Sequence, residues 1–309
     1  MAILLDEKTT MLIQGITGRE GRARTRFMLA YGTRVVAGVT PGRGGSEVWH
    51  VPVYDTVQEA WKHHGPIDAT VTFVPGPVVK DAVLEAIEAG IKLIVMPVER
   101  VPLHDALEMI ACAREMGARI VGPGSFGVIS AGKAVAGWIG GTEEFAREMF
   151  PPGHACPELS RRVGVISRSG GQTTTLSWAI GQVGLGISTA LHIGAEPVVG
   201  TAPAELLPLF EEDEETHAVA MFGEIGTVAE EEAAEVIREG RFTKPLVAYI
   251  AGAGVKPGMR FSHASAIVER GRGSAESKIK ALREAGAHVV DRPEELAPTL
   301  ARVLGSGNQ

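Results

Sequence analysis

One histidine stands where an imidazole could do chemistry: His263, within residues 258–267, Gly-Met-Arg-Phe-Ser-His-Ala-Ser-Ala-Ile. Its neighbours are small, so the ring is approachable, and an imidazole acts as nucleophile or base near neutral pH. Upstream, residues 245–250 (Pro-Leu-Val-Ala-Tyr-Ile) read as a buried strand, and residues 251–258 (Ala-Gly-Ala-Gly-Val-Lys-Pro-Gly) are too rich in Gly and Pro for an element interior. His263 is therefore expected in a loop beyond the carboxyl end of a parallel strand, where open α/β sheets bind ligands. Taken alone, the stretch also reads as a loop histidine with no task.

Two further features share that edge. Residues 223–226, Gly-Glu-Ile-Gly, follow an apolar strand at 218–222 and bring Glu224 to the same side as His263. A carboxylate there accepts from one ring nitrogen and orients the other toward a phosphoryl group; the plainer reading is an exposed loop glutamate. A strand at 162–166 runs into the tight loop Ser-Arg-Ser-Gly-Gly at 167–171 and a helix over 172–182. A helix start offers free N–H groups and about half a positive charge, a natural phosphate cradle. Gly170 and Gly171 allow close backbone approach, and Arg168, Ser167, Ser169 and Thr173 add donors. A capped helix start accounts for the same serines and threonines. No glycine stands two residues before Ser167 or Ser169, so this is not a hydrolase nucleophile elbow.

The elements that must position these groups alternate along the whole chain. A strand at 11–14, the turn Gly-Ile-Thr-Gly-Arg-Glu-Gly at 15–21, a helix over 22–31 and a strand at 34–39 form a βαβ unit whose turn suits a phosphate. A nicotinamide dinucleotide site wants an acidic residue after the second strand. Here residues 40–45 read Thr-Pro-Gly-Arg-Gly-Gly, and Arg19, Arg22, Arg24 and Arg26 crowd the first helix, partly as a solvated face. That favours a ligand with several phosphates over redox chemistry. Strands at 69–74, 92–95 and 119–121, with helices over 79–89 and 103–116, complete a doubly wound parallel sheet. Residues 128–161 fit no clean period beyond a short helix at 142–150, and mark the junction between domains 1–130 and 131–309. Later strands fall at 187–192, 218–222, 245–250 and 287–290, so the fold class is α/β, a doubly wound parallel sheet followed by a second α/β series. The acid run at 211–215 reads as a solvated helix end or turn.

Composition bounds the rest. The chain has 309 residues, 45% hydrophobic, enough for two cores, and its net charge of −7 gives no basis for non-specific nucleic-acid binding. The start lacks a signal-peptide pattern and no apolar run approaches the roughly 20 residues of a membrane helix, so a cytoplasmic protein is expected. Cys112 reads as a buried apolar residue; His154 and Cys156 are two potential ligands only, read as loop residues, and no metal site is expected.

Six stretches carry a resemblance over nearly the whole chain: residues 14–18 (Gln-Gly-Ile-Thr-Gly), 38–45 (Gly-Val-Thr-Pro-Gly-Arg-Gly-Gly), 51–57 (Val-Pro-Val-Tyr-Asp-Thr-Val), 163–170 (Val-Gly-Val-Ile-Ser-Arg-Ser-Gly), 223–226 and 262–267 (Ser-His-Ala-Ser-Ala-Ile). Together they resemble the alpha subunits of succinyl-CoA synthetase, within the acid–thiol ligases that form nucleoside diphosphate, and the resemblance implies a Rossmann-like CoA-binding domain followed by a flavodoxin-like ligase domain. The resemblance implies that His263 is the transiently phosphorylated histidine and Glu224 its supporting carboxylate. It implies coenzyme A contacts at Thr17, Gly18, Arg19, Glu20, Arg43 and the Pro97, Val98, Glu99 loop, with Arg43 where the family usually has lysine. Phosphate would rest on Ser167, Ser169, Gly170 and Gly171, and the organic acid near Thr174. It further implies an ATP-grasp beta subunit, in an αβ or α2β2 complex, that binds ATP or GTP with Mg2+.

The sequence also departs from that pattern. Ser262 and Ser265 replace glycines around the histidine, Gly124 stands for an asparagine in Gly-Pro-Gly-Ser-Phe-Gly (122–127), and Thr174 and Thr175 stand for a tyrosine and a glutamate. A longer loop at 139–150, the Ser-Arg-Ser-Gly-Gly loop and residues 239–245 (Glu-Gly-Arg-Phe-Thr-Lys-Pro) are similar to the ATP-citrate lyase and citryl-CoA synthetase branch. Succinate is the default acid, with citryl-CoA or malyl-CoA synthesis, or a non-catalytic CoA-binding role, as alternatives.

Overall fold

The computed structural model describes residues 2–151, 161–254, 263 and 273–305. The readings made for His154, Cys156, Ser262 and Ser265 lie outside those residues.

Residues 2–121 build one sheet from β1 (Thr10–Gln14), α1 (Arg19–Tyr31), β2 (Arg34–Val39), β3 (Glu47–Val48), β4 (Val51–Tyr54), α2 (Val57–His64), β5 (Ala69–Thr72), α3 (Val79–Glu88), β6 (Leu93–Val95), α4 (Leu103–Glu115) and β7 (Arg119–Val121). The order is β3-β4-β2-β1-β5-β6-β7, parallel except for β3 against β4. β1 is flanked by β2 on one side and β5 on the other, so the loops after these strands open at a switch point. The first turn is held by close backbone packing. A Cβ on Gly15, at φ +76, would lie 2.2 Å from the Phe73 carbonyl oxygen, and one on Gly21 would lie 2.2 Å from that of Gly15.

The second sheet contains β8 (Gly127–Ser130), β9 (Ala134–Gly137), α5 (Glu143–Met149), β10 (Arg162–Ser167), α6 (Gly170–Gln182), β11 (Gly186–His192), α7 (Pro203–Glu212), β12 (Ala218–Glu224), α8 (Ala229–Arg238), β13 (Leu246–Ala251), α9 (Ala275–Glu284), β14 (His288–Val289) and α10 (Leu296–Val303) with their covering helices. Its order, β14-β13-β12-β10-β11-β8-β9, is a five-stranded parallel flavodoxin-like core plus an antiparallel hairpin. That hairpin has no counterpart in the sequence reading. Every residue of β8 and β9 is buried, so neither strand shows the alternation that reveals a half-exposed one. Strand pairing assigns residues 127–130 to the second sheet, whereas the sequence reading closed its first domain at 130.

The hairpin also joins the two sheets. The hydroxyl of Thr33, just past α1, donates to the Val135 carbonyl at 2.7 Å and accepts from the Val135 N–H at 2.9 Å. The Tyr31 hydroxyl donates to the Phe150 carbonyl at 2.9 Å, and burial pushes that phenol up to about 12. One continuous apolar core includes Ile13 and Val71 from the first sheet and Val128, Val165 and Val219 from the second.

The acid run differs from expectation. It does end α7, but Glu211 accepts from the Thr243 hydroxyl at 2.6 Å, Glu215 pairs with Lys133 and Arg162, and Asp213 is buried, accepting from the Thr216 hydroxyl. Cys112 is only partly buried, at the margin of the core of the first domain.

Candidate active site

The strand order of the flavodoxin-like sheet reverses at β10, and strand register decides what meets there. Ser167, the last residue of β10, pairs with His192 of β11 and with Phe222 of β12. Two residues further, at the end of β12, stands Glu224. His263 lies at this edge, its Nδ1 2.7 Å from Glu224 Oε2. Glu224 is 3% exposed, while its other oxygen lies 3.5 Å from Nε of Arg168, itself 2% exposed. Arg168 also donates through Nη2 to the Glu196 carbonyl at 3.1 Å. A buried carboxylate is thus held between a fixed cation and an imidazole. The hydrogen bond from Glu224 raises the pKa of His263 above its ordinary 6.5, outweighing the opposing effect of burial.

His192 is a second histidine that sequence reasoning passed over. It is 2% exposed, with Nδ1 accepting from the Phe126 N–H at 3.0 Å and Nε2 3.0 Å from the Arg168 carbonyl. An acceptor at Nδ1 requires the proton on Nε2, so the tautomer is fixed and Nε2–H donates to Arg168. Burial depresses its pKa to about 4, with the neighbouring charges of His263 and Arg168 adding to the effect. Only the β10–β11 register places it here; in sequence it was the last residue of an ordinary strand.

The 167–171 loop has a different division of labour from the one expected. The Ser167 hydroxyl donates to the Ser169 carbonyl at 2.8 Å and accepts from the Ser169 N–H at 3.0 Å, and the Thr173 hydroxyl donates to that same carbonyl at 2.8 Å. These hydroxyls shape the turn. Arg168, read from sequence as a phosphate donor, faces inward to Glu224 instead. What the turn presents is the start of α6, whose first N–H groups lack intrahelical partners, with no side-chain cap from Ser169. The two glycines serve different ends: a Cβ on Gly170 would lie 2.4 Å from the Phe126 ring, whereas around Gly171 there is open space. Thr174 is half-buried in the next turn, and Thr175 is exposed, donating to the Gly171 carbonyl.

The residues expected to hold coenzyme A lie at the carboxyl edge of the first sheet. α1 starts at Gly18 with no side-chain cap, Arg19 is almost fully exposed beside it, and Glu20 pairs with Arg24 at 3.3 Å. The Thr17 hydroxyl contacts that of Thr40 at 3.2 Å, tying the α1 turn to the loop that carries Arg43. Asp55 holds that loop by accepting from the Arg43 N–H at 2.9 Å and the Gly44 N–H at 2.8 Å. These residues fit a diphosphate: an uncapped helix start, a basic loop and an exposed guanidinium. Pro97, Val98 and Glu99 follow β6, and Val98 accepts at its carbonyl from the Gly124 N–H at 2.9 Å. Glu99 also reaches the second site, since its charge bears on His263 and its Cγ lies 3.6 Å from where a Cβ on Gly124 would sit.

An aromatic row joins the two edges. Phe73 lies 6.1 Å from Trp138, Trp138 5.0 Å from Phe126, and Phe126 5.3 Å from His192, centroid to centroid. Arg24 of α1 covers Trp138 at 4.7 Å. The row puts the ligand edge of the first domain and the histidine edge of the second on one face. Elsewhere, among the described residues, His104, Asp105 and Glu108 come within metal-ligand reach of one another on α4, but Lys80 already contacts both carboxylates.

A basic, uncapped helix start in the first domain and a carboxylate-buttressed histidine in the second are thus the two features of the site, and the chain's relatives give its class, a CoA ligase. The CoA binding domain family matches residues 6–99 and the CoA-ligase family residues 166–288. The alpha 2 subunit of the ADP-forming succinate–CoA ligase of Archaeoglobus fulgidus is 48% identical over 304 residues, covering 98% of this chain and 100% of that one. A subunit of an ADP-forming sulfoacetate–CoA ligase from an Acholeplasma species is 43% identical, covering 97% of each. In structure, a mutant ATP citrate lyase of Methanosaeta concilii solved with (3S)-citryl-CoA superposes with a TM-score of 0.88 at 23% identity, covering 99% of this chain. The chain spans about half of that lyase, 52% of its length, and the likeness concerns the fold alone. The chain belongs to the NDP-forming acid–CoA ligases, as an alpha subunit. No helix of the described residues is long and apolar enough to cross a membrane.

Proposed function

We propose that this subunit activates a small carboxylic acid as its CoA thioester through phosphorylation of His263. The observation that carries the reading is the 2.7 Å contact of His263 Nδ1 with a buried Glu224 that Arg168 keeps in place. With Nδ1 so engaged, Nε2 is the nitrogen that attacks. The neutral imidazole takes the terminal phosphoryl group of ATP or GTP, breaking the bond to the bridging oxygen and releasing the nucleoside diphosphate. Glu224 stabilises the positive charge that develops on the ring. The phosphoryl group then rests against the N–H groups at the start of α6, beside the open space at Gly171, where a helix start contributes about 0.3–2 kcal/mol. The acid attacks the phosphorus and regenerates His263, giving an acyl phosphate. The CoA thiol, deprotonated as it attacks, displaces inorganic phosphate and forms the thioester.

In this reading CoA lies on Thr17, Gly18, Arg19, Glu20 and Arg43, with Pro97, Val98 and Glu99 leading toward the histidine. Nucleotide and Mg2+ bind mainly to a beta subunit of ATP-grasp type, and the complex works in the cytoplasm. Succinate is the first candidate acid. The sulfoacetate ligase among the relatives, and citrate or malate among the alternatives, share a second anionic group, so the substrate class is a small acid with two or more negative charges.

Incubating the assembled complex with ATP labelled at its terminal phosphate tests this. An acid-labile label on this chain, absent in His263→Asn and discharged by the acid with CoA, is expected. CoA binding with no label, whatever acid or nucleotide is supplied, would instead make the chain a CoA-binding regulatory subunit. A panel of succinate, malate, citrate and sulfoacetate then identifies the acid.

A further inference from the structure

Two fully buried charges stand behind the site, and the chemistry above does not use them. Lys278 of α9 is 0% exposed and Glu230 of α8 is 1% exposed, and the two form an ion pair. Compared with well-packed apolar residues, a buried ion pair gives little net stability. Its contacts suggest another role, because they converge on the loop that carries Glu224. The Glu224 N–H donates to Glu230 Oε1 at 3.2 Å. Lys278 Nζ donates to the Gly226 carbonyl at 2.7 Å. Gly223 lacks a side chain where a Cβ would lie 2.6 Å from Glu230 Oε1, so the carboxylate reaches the backbone only because a glycine stands there.

The same loop also holds the backbone at Gly273. The Gly226 N–H donates to the Gly273 carbonyl at 2.8 Å, and a Cβ on Gly273 would lie 2.4 Å from the Thr227 carbonyl oxygen. α9 starts directly afterwards, with Ser274 accepting from the Ser277 N–H at 3.1 Å. Ser277 in turn donates to Glu231, which lies 4.0 Å from Lys278.

We propose that the Lys278–Glu230 pair is a positioning device: it sets the backbone of Glu224 from behind and holds the loop that anchors Gly273, so that the Glu224 carboxylate meets His263. Glu230 and Lys278 act through Glu224 and touch no substrate. This deepens the phosphohistidine reading, but its geometric part does not depend on phosphoryl transfer. The groups that set the His263 titration are Glu224, Arg168 and Glu99, with His192 beside them, and the test alters none of these.

The test is the double variant Glu230→Met/Lys278→Met. Apolar residues of similar length fill the space of a buried pair with little loss of stability, and they remove both contacts to the loop. Histidine-labelled full-length chain is titrated by NMR, with His263→Asn identifying the His263 signal. The expected result is a folded protein whose His263 titration falls back toward the ordinary imidazole value, with CoA affinity unchanged by calorimetry. In the assembled complex the rate of His263 phosphorylation should drop about 10–100-fold, as for a misplaced catalytic group. A folded double variant with wild-type titration and phosphorylation would overturn the proposal. Loss of folding would also overturn it, by making the pair structural. If the titration moves while no form of the enzyme is phosphorylated, the positioning role stands and the phosphohistidine reading fails.

Discussion

Glu224 is shared between Arg168, 3.5 Å from one of its oxygens, and His263, 2.7 Å from the other. One partner carries a permanent charge and the other titrates. Arg168 keeps the buried carboxylate compensated in either state of the histidine, so the site does not have to strand an uncompensated charge when the imidazole is neutral and ready to attack. Replacing Arg168 by Met removes that compensation, and breaking a buried pair on one side costs about 3–5 kcal/mol. Urea denaturation of Arg168→Met should show a loss of that size; a change under about 1 kcal/mol would mean that Glu224 is supported elsewhere.

The pH dependence of phosphorylation follows from Glu224. Its hydrogen bond raises the pKa of His263, and in the proposed reaction the nucleophile is the neutral ring. Phosphorylation should therefore rise with pH along a limb centred above the ordinary value of 6.5. The contact contributes stability that is fully present below 6.5 and is lost as pH rises through the folded-state value. Glu224→Gln should move the limb to lower pH and cut the plateau rate about 100-fold. Single-turnover labelling across the neutral range reads both; an unmoved limb would separate Glu224 from the titration.

Acid stability is expected to depend on His192. Its pKa falls from 6.5 in the unfolded chain to about 4 in the folded one, so between these values the unfolded state binds a proton that the native state refuses. Stability then drops as pH falls from 6.5 toward about 4, by on the order of 3 kcal/mol in total. His192→Gln, which keeps a donor and an acceptor, should flatten that portion of the stability curve in denaturation at graded pH. A curve as steep as wild type would place the acid sensitivity on other groups.

CoA affinity should answer to Asp55, which the ligand need not touch. Its carboxylate holds the Arg43 and Gly44 N–H groups, and the loop is otherwise exposed. Asp55→Ala is expected to weaken CoA binding about tenfold, or ~1.4 kcal/mol, while leaving stability nearly unchanged. Gly21→Ala should differ by costing stability as well as affinity. Its new Cβ would lie 2.2 Å from the Gly15 carbonyl oxygen, so the start of α1 must shift and both stability and binding fall. Calorimetry paired with thermal denaturation separates the two, and an Asp55→Ala protein with full affinity would free the loop from this role.

Much of the fold was legible because parallel strands buried on both faces read as short apolar runs, and Gly/Pro loops punctuate them at regular intervals. The runs ending at Gln14, Val39, Val121 and His192 end where the strands do. The β8–β9 hairpin was not legible, because total burial erases its period and its strands carry glycines at 127 and 137 that resemble loop glycines. The acid run at 211–215 looked like a solvated end for want of its partners, since Thr243, Lys133 and Arg162 lie far away along the chain.

The sequence by itself determined the two-domain α/β architecture, the uncapped glycine turn at the start of α1, and the separate stretches holding His263, Glu224 and the 167–171 loop. Those follow from local periodicity and composition, which a single chain displays directly. The tertiary structure alone decided that Arg168 turns inward to Glu224, that His192 is locked neutral beneath Phe126, and that Lys278 and Glu230 stand behind the Glu224 loop. Arg168 with Glu224, His192 with Phe126 and Lys278 with Glu230 are brought together by strand register or helix packing across tens of positions, and no local pattern encodes a register.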